Sequence, residues 1–245
     1  MGPVRPEAAE GECTRCPVHR LAFCSTCTPV ALAPFENLKF YRRFGRGDTI
    51  FSCGEPTEFV ATIVTGVATL SRALPDGRCQ MVGLMMPSDF LGHPDQERAR
   101  YDVTALTPIT LCCMPRKKFR QQMERSPQAT ARLFEMKRDE LEAIQQWLVL
   151  LGRKNAREKV ASLLLTLLRH DHADEPWDEG QPVTLELWLN GEEMGNYLGL
   201  SVETVSRSIS SLRRDGVILG DGTRVVSIPS VERLSIEACD ESVAL

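Results

Sequence analysis

A chain of 245 residues has room for two compact domains with a full core, and 42% hydrophobic with 25% charged residues is the balance of an ordinary globular protein. A net charge of −4 excludes a global positive field, so affinity for nucleic acid must come from a local basic surface such as Arg207, Arg213, Arg214 and Arg224. No apolar run approaches membrane-spanning length and the first residues lack a signal peptide's apolar stretch; the expected setting is cytoplasmic, without a membrane, the nine cysteines reduced or metal-bound.

The opening segment, to about Pro34, has little periodic apolar pattern. It holds four of the nine cysteines, as Cys13-x2-Cys16 and, after seven residues, Cys24-x2-Cys27. Such spacing keeps thiolates close enough to share one metal centre. Inert buried cysteines fit poorly in a polar segment with no core of its own. Structural zinc and an iron–sulfur cluster both take four thiolates, and spacing alone does not choose between them. A redox CxxC fits less well, because no strand-to-helix pattern surrounds it. His19, between the two pairs, reads as solvated rather than ligating.

Short apolar runs broken by glycine or proline follow, at residues 49–51, 59–64, 67–70, 81–84, 103–105 and 109–113. Strands of this length and spacing predict an antiparallel barrel or sandwich, with a turn at Pro75-Asp76-Gly77. A short basic helix is expected over 116–125. Ser126-Pro127 then caps a long helix running to about Leu151. On it Phe134, Leu141, Ile144, Leu148 and Leu151 form a narrow stripe broken at Lys137, the pattern of a coiled-coil seam and hence of a homodimer. Residues 155–169 form another amphipathic helix, with Val160, Leu163, Leu164 and Leu167 on its apolar face. An acidic loop over 170–181 leaves His170 and His172 in solvent, and Val183, Leu185, Leu187 and Leu189 alternate as a strand.

Residues 190–216, NGEEMGNYLGLSVETVSRSISSLRRDG, then read as two helices and a sharp turn. Asn190 caps the first helix, Gly199 supplies the positive φ of the turn, and Ser201 caps a second helix closed by Gly216. Val205, Ile209 and Leu212 face a core, while Glu203, Ser206, Arg207 and Ser210 lie on the opposite, polar face. Their chemistry suits base edges: carboxylate to cytosine, guanidinium to guanine, hydroxyl to either base type. A Glu203–Arg207 ion pair explains the same charges without DNA. Residues 217–219 and 224–228 around Gly220-Asp221-Gly222 predict a β-hairpin, and a hairpin beside a helix-turn-helix is a winged helix, usually a module for double-stranded DNA.

Strand-rich domain, long helix and winged helix in that order resemble the CRP/FNR superfamily of bacterial transcription regulators over nearly the whole chain. The most specific stretches are GNYLGLSVETVSR at 195–207 and GRKNARE at 152–158. The resemblance implies an α+β fold: an N-terminal antiparallel β-roll (cupin-like) sensor domain, a long dimerisation helix and a C-terminal winged helix-turn-helix. The implied divisions are a cysteine-rich segment at 1–35, the β-roll at 36–125, the dimerisation helix at 126–152 and the DNA-binding domain at 153–245.

Glu203, Ser206 and Arg207 are similar to the reading residues of the FNR branch. This implies a TTGAT-N4-ATCAA-like palindrome, with Arg207 on the guanine, Glu203 on its paired cytosine and Ser206 on a neighbouring thymine. Regulators of that branch hold a [4Fe–4S] cluster through three N-terminal cysteines and one from the barrel. Cys13-x2-Cys16-x7-Cys24 resembles the alpha-proteobacterial, FnrL-like version, and Cys112, three residues before Pro115, matches the barrel ligand. Cys27 and Cys113 stand as rival third and fourth ligands. The implied function is oxygen-responsive: the cluster promotes dimerisation and DNA binding, and oxygen destroys it and releases the DNA. The alternative is a cluster-free or zinc-bound, FixK-like regulator that does not sense oxygen directly. The loop at 74–78, with Asp76 and Gly77, corresponds to one that touches RNA polymerase in the family.

In the cyclic-AMP branch a glutamate follows the barrel glycine and an Arg-Ser pair grips the phosphate. Here His93 and Pro94 follow Gly92 and residues 97–102 read ERARYD, so no cyclic nucleotide is expected. No histidine is placed near a serine, cysteine or carboxylate in a catalytic order, so no enzyme is expected either.

Overall fold

The structure, a computed structural model, describes residues 13–171, 181–220 and 224–240. The chain divides into two compact units, with the boundary between Ala143 and Ile144.

In the first unit, strands β1 (Phe40–Phe44), β2 (Thr49–Phe51), β3 (Phe59–Thr65), β4 (Ala68–Ala73), β5 (Cys79–Met85), β6 (Phe90–Leu91), β7 (Asp102–Ala105) and β8 (Ile109–Pro115) build two antiparallel sheets. Their orders are β1-β8-β3-β6 and β2-β7-β4-β5. The six strands expected from sequence are present. The other two carry no apolar run: β1 reads FYRRF, with the Arg42 guanidinium over the Phe44 and Phe59 rings, and β6 has only two residues.

Strands of period two place alternate side chains on opposite faces. Phe59, Ala61 and Ile63 of β3 and Ile109, Leu111 and Cys113 of β8 face inward, where they meet Phe51, Met85 and Val103 from the other sheet. Val60 and Met114 face the other way, into a second cluster with Phe23, Phe35, Phe90, Phe119, Ala129 and Leu133. Phe35 lies on α1 (Pro29–Glu36), Phe119 on α2 (Arg116–Glu124), and Ala129 with Leu133 on α3 (Pro127–Arg153). The Phe23 ring meets those of Phe35, Phe90 and Phe119 edge-on at centroid distances of 5.4, 5.7 and 5.2 Å. The opening segment therefore does have an apolar anchor, contrary to the expectation from its sparse pattern. Phe23 and Phe35, with buried Val18, Ala22 and Leu32, form it against a sheet face that supplies the rest.

Ser126 does not cap α3 through its side chain. Its carbonyl accepts from Thr130 N at 3.0 Å, while its buried hydroxyl makes no hydrogen bond to the helix. Along α3, Phe134, Leu141, Ile144 and Leu148 are exposed, at 74, 53, 39 and 59%. Leu151 is only half-buried rather than part of that open row, and its neighbour Leu150 turns inward. Lys137, the break in the stripe, pairs with Glu140 at 2.6 Å.

The second unit contains the end of α3, then α4 (Ala156–Asp171), β9 (Val183–Glu186), α5 (Gly191–Leu198), α6 (Val202–Arg214), β10 (Val225–Ile228) and α7 (Val231–Glu237). Asn190 and Glu193 form a capping box on α5, Gly199 takes φ 64°, and Ser201 accepts from Thr204 N at the start of α6. A Cβ at Gly195 would lie 2.6 Å from the Leu200 carbonyl oxygen, so the tight turn requires glycine there.

The wing differs from the expected hairpin. β10 pairs with β9, and residues 217–219 contribute only an isolated bridge, Leu219 to Ser227. Val217 and Ile218 are buried and serve the core instead. The expected turn residues Asp221 and Gly222, and His172 of the acidic loop, lie outside the described residues. His170 is not simply solvated: its ring stands edge-on to Trp188 at 5.8 Å.

Arg157 of α4 reaches α6, the residue that ends it, and α7 at once. It donates to Glu237 Oε2 at 2.7 Å, to Ser211 Oγ at 2.6 Å and to Asp215 Oδ2 at 2.6 Å. These bonds hold the Glu237 and Asp215 carboxyls below the usual carboxylate range.

Two outcomes follow from these contacts. Phe119→Ala should cost about 3–5 kcal/mol in denaturant unfolding, because it empties the centre of the aromatic cluster. Arg157→Met should cost about 1 kcal/mol at neutral pH. Carboxylates with depressed pKa values stabilise the fold above their ordinary range, and that contribution fades as pH falls through the depressed values. The variant should therefore lose less stability than the parent on acidification below about pH 5, read by thermal unfolding across pH.

Candidate functional site

Cys112 sits on β8 between two neighbours, paired with Tyr41 of β1 and Thr62 of β3. Directly opposed residues share a face, so these three side chains form a floor on the outer side of the sheet. The opening segment covers it. One small pocket is lined by Cys13, Cys16, Cys24 and Cys112 together with Tyr41 and Thr62, and its remaining lining is apolar.

Of the rival ligands, Cys27 is partly buried against the aromatic cluster and does not line the pocket. Cys113 is fully buried in the core between the sheets, on the opposite face of β8. The alternation of one strand separates the two adjacent cysteines. His19 is not solvated as expected: its Nδ1 lies 3.6 Å from Cys24 Sγ.

Burial governs the thiols. It pushes Cys13 up to about 11 and Cys24 up to about 12, and it raises Cys112 further. Lys39 opposes this at Cys13, where its ammonium donates to Sγ at 3.3 Å. The Cys13 backbone N–H is anchored on Glu36 Oε1 at 2.6 Å. Three desolvated thiols, Cys13, Cys24 and Cys112, are thus gathered with Cys16 where a metal centre could exchange thiol protons for its own charge. Among the described residues no three His, Cys, Asp or Glu side chains already surround one ion-sized point.

The segment also touches the start of α3. Thr26 Oγ1 donates to the Gln128 carbonyl at 3.4 Å, and Arg132 Nη2 donates to the Leu21 carbonyl at 3.0 Å. Sequence reasoning missed Tyr41, Thr62, Lys39 and Arg132. The pairing register that brings the first two to Cys112 leaves no signal in a single sequence.

On the second unit, Glu203, Ser206, Arg207 and Ser210 are exposed on α6, while Val205 and Leu212 are buried. Glu203 and Arg207 do not form the simple ion pair. Arg207 Nη2 donates to Thr204 Oγ1 at 3.3 Å, and backbone and Ser201 hydrogen bonds at the helix start lower the Glu203 carboxyl first, with the Arg207 charge a lesser cause. Arg214 and Arg224 are exposed, but Arg213 is half-buried, so the basic surface is smaller than the sequence implied.

In the first unit, Asp76 accepts from Arg78 N at 3.1 Å and from Arg78 Nε at 2.8 Å, and Gly77 takes φ 88°. The turn alone accounts for both residues. Elsewhere in the first unit, Arg98 donates to the Gly54 carbonyl at 2.7 Å and buried Arg116 donates to the Thr57 and Pro94 carbonyls, both at 3.1 Å.

Comparison with known proteins agrees with this fold. Residues 41–126 match the family described as Cyclic nucleotide-binding domain, and residues 158–235 match Crp-like helix-turn-helix domain. The chain is similar to Transcriptional activator protein FnrL of Cereibacter sphaeroides, 47% identical over 94% of this chain and 93% of that protein. It is also similar to Nitrogen fixation regulation protein FixK of Bradyrhizobium diazoefficiens, 34% identical over 84% of this chain and 85% of that one. The solved structure of FixK2 from Bradyrhizobium japonicum superposes with a TM-score of 0.71 at 28% identity, covering 81% of this chain and 96% of that chain. With a β-roll, a long helix and a helix-turn-helix in this order, and a relative of such identity along almost its whole length, the chain belongs to the Crp/Fnr family of transcription regulators.

Proposed function

We propose that this regulator responds to oxygen, that Cys13, Cys16, Cys24 and Cys112 hold a [4Fe–4S] cluster, and that the loaded chain reads a TTGAT-N4-ATCAA-like palindrome as a homodimer. The observation that carries the reading is the convergence of those four cysteines on one pocket while Cys27 and Cys113 face elsewhere. Four soft sulfurs with no carboxylate or imidazole in the lining are a donor set for an iron–sulfur cluster or for structural zinc. The likeness of the cysteine spacing to the FNR branch favours iron.

When bound, the cluster supplies four iron–thiolate bonds that cross-link the segment to β8, and its oxygen lability makes the cross-link removable. The rest of the device belongs to the chain. Arg132 and Thr26 connect the segment to the first turns of α3, so ordering the segment steadies that end of the helix. Further along α3, Leu141, Ile144 and Leu148 are exposed and apolar, a surface suited to the same helix of a second copy, with Leu151 at its margin. Two copies would present two α6 helices to half-sites one helical turn apart. A coupling of a few kcal/mol is enough, because dimerisation and cluster binding are linked equilibria.

No cyclic nucleotide is part of this reading, because the sequence around Gly92 and over residues 97–102 lacks the glutamate and the Arg-Ser pair of the cyclic-AMP branch. The exposed turn at Asp76 and Gly77 is the surface offered to RNA polymerase.

Anaerobic purification with iron, sulfide and zinc assay tests the reading. A brown protein with about four irons and four sulfides per chain is expected from the cluster stoichiometry; a colourless, air-indifferent protein carrying zinc or no metal would establish the FixK-like alternative. Cys112→Ser should abolish both the cluster and anaerobic operator binding in a mobility-shift assay, and Cys27→Ser should leave both intact. Arg207→Ala should weaken operator binding by about 1–3 kcal/mol, roughly fivefold to 150-fold, and relax discrimination only at the guanine position.

A further inference from the structure

The floor of the cysteine pocket contains one polar group with no partner. Thr62 is 3% exposed, and its hydroxyl makes no hydrogen bond to any protein atom. It stands directly across from Cys112 in the β3–β8 ladder and lines the same pocket. Buried hydroxyls are almost always satisfied, because a lost partner costs the full desolvation of the group. Thr62 lies in the FVATIVT run of β3, where valine would suit both the strand and the burial. A threonine whose unmet donor sits in the wall of the pocket that four cysteines line is explained by an acceptor that arrives with the ligand.

Resting on the cluster reading above, we propose that Thr62 is a positioning residue for the metal centre: its hydroxyl donates to an iron-bound sulfur at the Cys112 corner. The chemistry is suited to the role. A hydroxyl proton rotates to meet its acceptor, and iron-bound thiolate and sulfide carry the negative charge that strengthens such a bond. Hydrogen bonds to cluster sulfurs are one of the few means by which a protein sets a cluster's potential and stability. Tyr41, across the ladder on the other side of Cys112, completes the floor.

The test compares Thr62→Val and Thr62→Ser with the parent, in metal-free and loaded forms. In the metal-free form Thr62→Val removes a stranded donor, so this variant should melt a few degrees above the parent. In the loaded form the order should reverse: under anoxia, release of iron to a chelator should be about five- to tenfold faster. The parent's Fe–S stretching bands should shift in deuterium oxide, those of the Thr62→Val chain should not, and Thr62→Ser should restore both the shift and the slow release. A shift in the terminal band assigns the acceptor to the Cys112 thiolate; a shift in the bridging band assigns it to a sulfide. A Thr62→Val chain that melts lower in both forms would mark simple packing and overturn the proposal. So would release rates and deuterium shifts equal to the parent's. An iron- and sulfide-free parent would instead refute the cluster itself, which the metal assay reports before any variant is made.

Discussion

The alternation of side chains along β8 is the constraint on which the first unit depends. Hydrogen-bonded to β1 on one side and β3 on the other, the strand cannot slide without moving both neighbours. Leu111 and Cys113 are thereby committed to the core between the sheets, and Cys112 and Met114 to the outer face. A shift of one residue would exchange the two sets entirely. The cysteine pocket is thus built on the reverse of a tightly packed strand, and its floor inherits the rigidity of that packing.

The covering segment is held differently. It contributes Phe23 and Phe35 to a cluster whose other members come from the sheet, α2 and the start of α3. Its cysteines are carried on short turns, with Cys13 tethered by Glu36 and Lys39. A rigid floor and a cover pinned by two rings divide the labour. The floor fixes Cys112, and the cover carries Cys13, Cys16 and Cys24. Arg132 and Thr26 connect the cover to α3, the helix whose exposed apolar row is the proposed dimer seam.

Much of this was legible in the sequence because its signals are local. Period-two runs gave six strands, Asn190 and Ser201 gave the two helix starts, and apolar spacing separated the buried from the exposed face of α6. Failures occurred where tertiary context replaced a local signal. β1 has arginines that cover aromatic rings, so it shows no apolar run. Phe23 and Phe35 are too few to make a pattern, yet they bury completely against a surface supplied by other elements. Residues 217–219 look like a strand and are used as core, because β9 takes the wing's pairing edge. Cys112 could be placed from its distance to Pro115 by family likeness, but the partners flanking it depend on register, which no single sequence displays.

The guanidinium of Arg157 joins the helix before the reading motif, the end of α6 and α7, near the last described residues. The short helix α7 is therefore a buttress for the helix-turn-helix. Substitutions that disturb Glu237 would reach the second helix of the helix-turn-helix through a single side chain, although Glu237 lies outside that motif.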